Sequence, residues 1–409
     1  MEARRRRHRS GVYSASATIV RDTDVRPRPW RALAAATALN LPLGSLYAFS
    51  VFLQPLERLL GLSRADLALV FAIASAGFGI GMNLAPHVYG VAPTPLLMLG
   101  CAVVSGAGIT LAATAGGWLQ LAIGYGVLFG IGGGAAYILV QQAVNLAVTT
   151  RHGLANGYIV GLYPAGAMLA APLFGWGIRD IGVRLTLGTF AGVLAVTGVL
   201  SAWLIARAGV RLSAATATVA LDPRERRRAV FYRLCIVFFL AASAGLMVLS
   251  QAAGIITAYG GATALAISGT TFIAGTIAAA RLGGGWMVDW LSIPAVAASA
   301  HLVSLTGNTA LTLWPGPGVA VAALALVGLG YGLISGVTAA AVAVYWRREL
   351  YGLMASRVYI AWCVAAIVLP VTAGWLFDLT QGYGTAILIA ATGNLVGVLV
   401  ALGLPRERA

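Results

Sequence analysis

The sequence predicts an all-α membrane protein with twelve transmembrane helices in two pseudo-symmetric six-helix bundles. Three observations predict it. Of 409 residues, 59% are hydrophobic and only 10% charged, with a mean hydropathy of +0.87, whereas a soluble chain carries about 25% charged residues. Apolar stretches long enough to cross a hydrocarbon core about 30 Å thick recur near 31–54, 65–86, 94–115, 118–148, 154–177, 184–206, 233–258, 263–288, 293–314, 318–345, 351–376 and 384–404. The halves also repeat: a shift of 198 residues carries Gly130, Gly132, Gly134, Pro172 and Asp180 onto Gly328, Gly330, Gly332, Pro370 and Asp378. Five such residues agreeing at one offset outweigh the abundance of glycine, 52 in the chain.

In chain order, residues 1–30 read as a disordered basic cytoplasmic arm, with arginines and almost no apolar content. No short apolar core follows it, so no cleavable signal peptide is expected. Residues 31–206 form the N-terminal bundle and 207–232, with Pro223 and the arginines of 224–228, a cytoplasmic linker. The C-terminal bundle takes 233–404 and a short tail 405–409. All 27 basic residues are arginine; 21 fall on the side of the termini and four on the other. By the positive-inside rule both termini are cytoplasmic, in a multi-pass protein of the inner (plasma) membrane. The net charge of +15 thus belongs to membrane topology and not to nucleic-acid binding.

Two arginines remain inside helices. Arg281 lies in Ile267–Asp289, eight residues before the aspartate, about 12 Å in from that face at 1.5 Å per residue. An intramembrane charge at that depth reads as facing a cavity; the bland alternative is a side chain that snorkels to the headgroups. Arg357, eight residues past Glu349, reaches a similar depth on the eleventh helix, its alternative being a structural or gate arginine. No aspartate or glutamate shares that level. Two guanidiniums without a counter-charge call for an anion, and a carboxylate matches the planar fork bidentately. The 198-residue shift pairs Arg281 with Asn83, expected to face it across the pathway.

Tyr47, Tyr137, Tyr163, Tyr331 and Trp362 fall on helices one, four, five, ten and eleven and are candidate walls of the cavity; packing or an interfacial belt explains each equally well. Gln141, Gln142 and Asn145 give the fourth helix a polar face that interhelical hydrogen bonds also explain. The glycines of the fourth and tenth helices permit close helix contact. Cys101, Cys235 and Cys363 stand singly, and His87, His152 and His301 do not cluster; no metal or other cofactor is assigned. No nucleotide loop, zinc spacing or activated nucleophile supports an enzyme.

Four stretches resemble the major facilitator superfamily, and within it the oxalate:formate antiporter and monocarboxylate porter group. They are Gly44–Phe52 with Leu62–Asp66, Arg151–Gly157 (RHGLANG), Arg281–Asp289 (RLGGGWMVD) and Pro370–Tyr383. The resemblance implies the major facilitator fold and alternating access around a central site. It implies a small mono- or dicarboxylate as substrate, a monomer in the bilayer, and gating or structural roles for Arg151, Asn156 and Asp289. Two departures stand out. Leu84–Gly90 (LAPHVYG) lacks the acidic–basic signature usual between helices two and three, and Ile277 stands where proton-coupled monocarboxylate porters carry an aspartate. Exchange or uniport is therefore expected. The alternatives are a proton-coupled monocarboxylate symporter and a transport-inactive sensor or assembly subunit. A cation or drug efflux pump would want a membrane carboxylate that the sequence lacks.

Overall fold

The structure, a computed structural model, describes residues 27–212 and 227–407; most of the expected arm and linker and the last two residues of the tail lie outside them. The described residues form eleven long helical segments, joined by short turns. The first four are α1 (Pro29–Leu60), α2 (Arg64–Leu84), α3 (Thr94–Ala113) and α4 (Trp118–Ala147). The fifth, His152–Ala208, has 57 residues, about 85 Å at 1.5 Å per residue and far beyond one crossing. It breaks at Gly182, whose φ of 83° a residue without Cβ adopts freely. Its arms are α5 (152–181) and α6 (183–208), which brings the long helices among the described residues to twelve. The second bundle comprises α7 (Arg228–Ala258), α8 (Thr263–Val288), α9 (Ile293–Leu313), α10 (Pro317–Tyr345), α11 (Tyr351–Thr380) and α12 (Gly384–Leu402). The start of α7 takes up residues that the sequence reading left in the linker.

Two helices depart from regular α geometry, α1 at the segment that carries Tyr47 and α4 near its start. Pro42 inside α1 has no N–H to give, and Gly44–Phe52 continues as 3-10 helix. In α4, Ala122–Phe129 is π-helical, with Gly124 and Gly126 inside it. Such turns displace helix register and concentrate at functional sites.

Glycine sets the spacing within each bundle, in the same way in both. Gly132 of α4 lies against Ser105 and the backbone of Cys101 on α3; Gly330 of α10 lies against Ser304 and the backbone of Ala300 on α9. Gly134 touches the backbone of Phe78 on α2, as Gly332 touches that of Ile277 on α8. A Cβ at any of these four would overlap its neighbour, so the close approach requires glycine.

Both ends of the described chain lie on one face, the termini face. Arg28 N–H donates to Ala208 O, Arg31 to Arg207 O, and Ile293 N–H to Glu407 O, while Arg227 pairs with Glu407 at 2.9 Å. Between the bundles, α8 packs on α5, and α11 packs on α2 and α4.

Candidate substrate site

Eight helices meet around one central void. Its lining is Tyr47 of α1, Phe78 of α2, Tyr137 of α4 and Val160 of α5, facing Phe238 of α7, Arg281 of α8, Ser335 of α10, and Tyr359 and Trp362 of α11. Helices α3, α6, α9 and α12 contribute nothing to it. The 198-residue shift carries Tyr137 onto Ser335, and both are lining residues. The void is small: water-sized centres can occupy about 10 Å³ of it, the space of roughly one water.

Arg281 is the charge at its heart, with 4% of its surface exposed. Its Nη2 donates to the Tyr331 hydroxyl at 3.0 Å and its Nη1 to Val160 O at 3.3 Å, across the bundle boundary. The guanidinium carbon lies 5.3 Å from the centre of the Tyr331 ring, a cation–π distance. Trp362 Nε1 donates to the same Tyr331 hydroxyl at 2.8 Å, so that oxygen accepts from both and fixes their relative position. Arg281 Nε is buried without a partner. Among the described residues the pairs Arg179–Asp180, Arg227–Glu407 and Arg347–Glu349 are exposed, and none involves Arg281. A buried guanidinium with hydrogen-bond partners but no counter-ion, and one donor spare, has the chemistry to accept an anion's oxygen.

Aromatic side chains hold the rest of the wall. Tyr47 sits in the 3-10 segment of α1, its ring 6.3 Å from Trp362 and 6.1 Å from Tyr163. Tyr137 and Tyr359 share a hydrogen bond of 2.8 Å between their hydroxyls, one from each bundle. Tyr163 stands behind the lining: its hydroxyl donates to Gly133 O and its ring meets Phe78 and Tyr137 edge-on.

Of the expected lining residues, Tyr163 and Tyr331 stand behind the wall, and Arg357 and Asn83 lie elsewhere. Arg357 is exposed, on the stripe of α11 that also presents Ile360, Val364, Ile367 and Val371 outward. It is about 140° around the helix from Trp362 at 100° per residue, so the two could not both face inward. Asn83 is bound at the α2–α11 contact, its Nδ2 donating to Gly79 O and Ser356 O. The pseudo-two-fold explains this: Arg281 occupies the α8–α5 seam, and its repeat partner occupies the equivalent α2–α11 seam on the opposite flank. Tyr359, Phe78, Phe238, Ser335 and Val160 escaped the sequence reading. For Tyr359 a signal existed, since it lies three residues before Trp362 and so on the same helix face.

Towards the termini face the bundles are tied together. Asp289 Oδ1 accepts from Gly153 N–H at 2.8 Å and Oδ2 from Leu154 N–H at 3.0 Å, capping α5 from the far bundle. On the other flank the neutral Gln142 brackets the start of α11, donating to Arg348 O and accepting from Gly352 N–H. Tyr351 donates to Gln141 Oε1 at 2.7 Å, and Arg348 Nη2 to His152 Nε2 at 3.0 Å. Tyr89, in the loop that lacks the acidic–basic signature, is buried against Gly352. Closure thus rests on the Asp289 carboxylate on one flank and on the amides of Gln141 and Gln142 on the other, with the Arg348–His152 contact joining the two. Arg151 is exposed, in left-handed conformation just before α5. Asn156 makes a reciprocal amide pair with Asn145, both bonds 2.9 Å, inside its own bundle.

Two helical bundles meeting around a midplane site, with close contacts on one face, define a secondary transporter. The chain belongs to the Major Facilitator Superfamily, whose family model matches residues 33–345. It is 23% identical over 309 residues to an uncharacterized MFS-type transporter, YhjX of Escherichia coli K12, covering 74% of this chain and 77% of that one. Among solved structures it resembles the MFS transporter FucP in the outward conformation, with a TM-score of 0.73 and 15% identity over 93% of this chain and 100% of that one. The human organic anion transporter MFSD10 superposes with a TM-score of 0.74 at 15% identity, over 92% of this chain and 100% of that one. The protein is a multi-pass membrane transporter, not an enzyme.

Proposed function

We propose that the protein moves small organic anions, monocarboxylates foremost, across the plasma membrane as a monomer, by exchange or uniport. In this reading the termini face is cytoplasmic and the conformation is the one closed on the cytoplasmic side. The observation that supports the substrate class is Arg281, buried at the junction of the bundles with a spare Nε and no acidic partner. With Arg357 outside the void, the site offers one guanidinium, which favours one carboxylate over two. The aromatic wall suits a short apolar tail beside that carboxylate. No lining residue is an aspartate or glutamate, and Ile277 is packed against Gly328 and Gly332; both disfavour proton symport. The deciding experiment is uptake by proteoliposomes preloaded with candidate mono- and dicarboxylates. Counterflow of a monocarboxylate that is lost in Arg281→Gln supports the reading; equal uptake by both proteins overturns it.

A further inference from the structure

Arg357 has neither a hydrogen bond nor an ion pair within the described protein, yet it is exposed inside the membrane span Arg348–Phe377. The residues that share its stripe are apolar and open to the bilayer: Ile360, Val364, Ile367 and Val371 are 48%, 46%, 56% and 64% exposed. A cation on such a face must reach an anion or water at the headgroups. It lies six residues into α11 from Tyr351, about 9 Å below the termini face at 1.5 Å per residue. Helical side chains lean towards their own N-terminus, which for α11 is that same face, so the stem of Arg357 carries the guanidinium up to the phosphate level. The neighbouring Ser356 accepts from Asn83 of α2 through its carbonyl, and one turn beyond Asn83 the exposed His87 ends the outward stripe of α2 that includes Ile80 and Leu84.

We propose that Arg357 binds the phosphate of an anionic phospholipid in the leaflet of the termini face, with acyl chains lying along the α2–α11 seam. The shared chemistry is a phosphate held by one guanidinium, and the lipid source follows from the stripe beneath it. Because α2 and α11 belong to different bundles, this lipid touches both. The role is separate from the anion site at Arg281 and stands whichever substrate that site takes.

The test uses the full chain in nanodiscs of equal phosphatidylglycerol and phosphatidylcholine, with retained lipid counted by native mass spectrometry. Arg357→Leu suits the apolar stripe and serves as the variant, with Arg357→Lys as the conservative control. Wild type is expected to retain phosphatidylglycerol preferentially, the leucine variant to lose that preference by about fivefold, and the lysine variant to keep most of it. Equal retention by wild type and Arg357→Leu overturns the proposal. So does displacement of the lipid by millimolar inorganic phosphate, which would mark a site for free anions. Loss by Arg357→Leu, in pure phosphatidylcholine vesicles, of uptake of whichever substrate the wild type carries overturns it too, by returning Arg357 to the substrate path; unchanged uptake there, with the phosphatidylglycerol preference lost, supports it.

Discussion

Asp289, at the end of α8, caps α5 of the opposite bundle by accepting the N–H of Gly153 at 2.8 Å. The cap exists only while the bundles meet on this face, so its free energy counts towards that conformation alone. Asp289→Asn removes the charge facing the helix N-terminus and should weaken closure by about 1 kcal/mol. A cysteine replacing the buried Val148 should then react about fivefold faster with a water-soluble maleimide. An unchanged rate would show that the cap carries no weight in the conformational balance.

Arg281→Gln should insert and fold but transport no anion, since the amide removes the counter-charge at the void. Arg281→Lys should also be impaired, because a point-like ammonium cannot keep the Tyr331 and Val160 O contacts and still present a planar fork. Carboxylate uptake by either variant at the wild-type rate and equal expression would contradict this role.

Tyr331→Phe deletes the oxygen that accepts from both Arg281 Nη2 and Trp362 Nε1. Two buried donors are orphaned, at about 1–3 kcal/mol each. Thermal unfolding in detergent should occur at lower temperature, and KM for the anion should rise more than kcat falls. An unshifted melting temperature would mean that both donors find new partners.

Gly285→Ala tests the α8–α5 seam, where a Cβ would meet Gly153 O and the Gly157 backbone. Alanine is the better helix former by about 1 kcal/mol, so any loss must come from contact between bundles. The variant should fold yet fail to close on the termini face, which spin labels at Thr150→Cys and Arg406→Cys would report as a lengthened distance. A wild-type distance distribution would show that the seam can relax around a methyl group.

Coupling gives the last prediction. No carboxylate lines the void, and arginine does not deprotonate in proteins. Liposomes should therefore show carboxylate counterflow without an imposed pH gradient. Accumulation that requires an inward proton gradient, one proton per substrate, would assign proton carriage to a tyrosine or histidine instead.

The crossings were legible from hydropathy and the bundle symmetry from glycine. The same glycines prove to be backbone contacts at matching places, Gly132 on α3 and Gly330 on α9. Arg281, Tyr47, Tyr137 and Trp362 were legible because a charge or a polar aromatic inside an apolar run needs a reason. Phe78, Phe238 and Val160 carry no such mark, since an apolar residue that lines a void looks the same in sequence as one that packs on lipid. Arg357 misled because depth along a helix was weighed without the angle around it. Asn83 was correctly paired by symmetry but wrongly placed, because a two-fold axis relates residues on opposite flanks without making them touch.

The one-water void at Arg281 bears on how affinity will be measured. A substrate larger than water cannot enter this arrangement, so binding draws on a wider form in which Tyr47, Trp362 and the Tyr137–Tyr359 pair have separated. If that form is populated at about 1%, the apparent Kd is about a hundredfold weaker than the contacts alone would give. Titrations at equilibrium would then report a poor ligand for a well-matched site. Substitutions that trim the aromatic wall would tighten binding by raising the receptive population, even as they remove contacts.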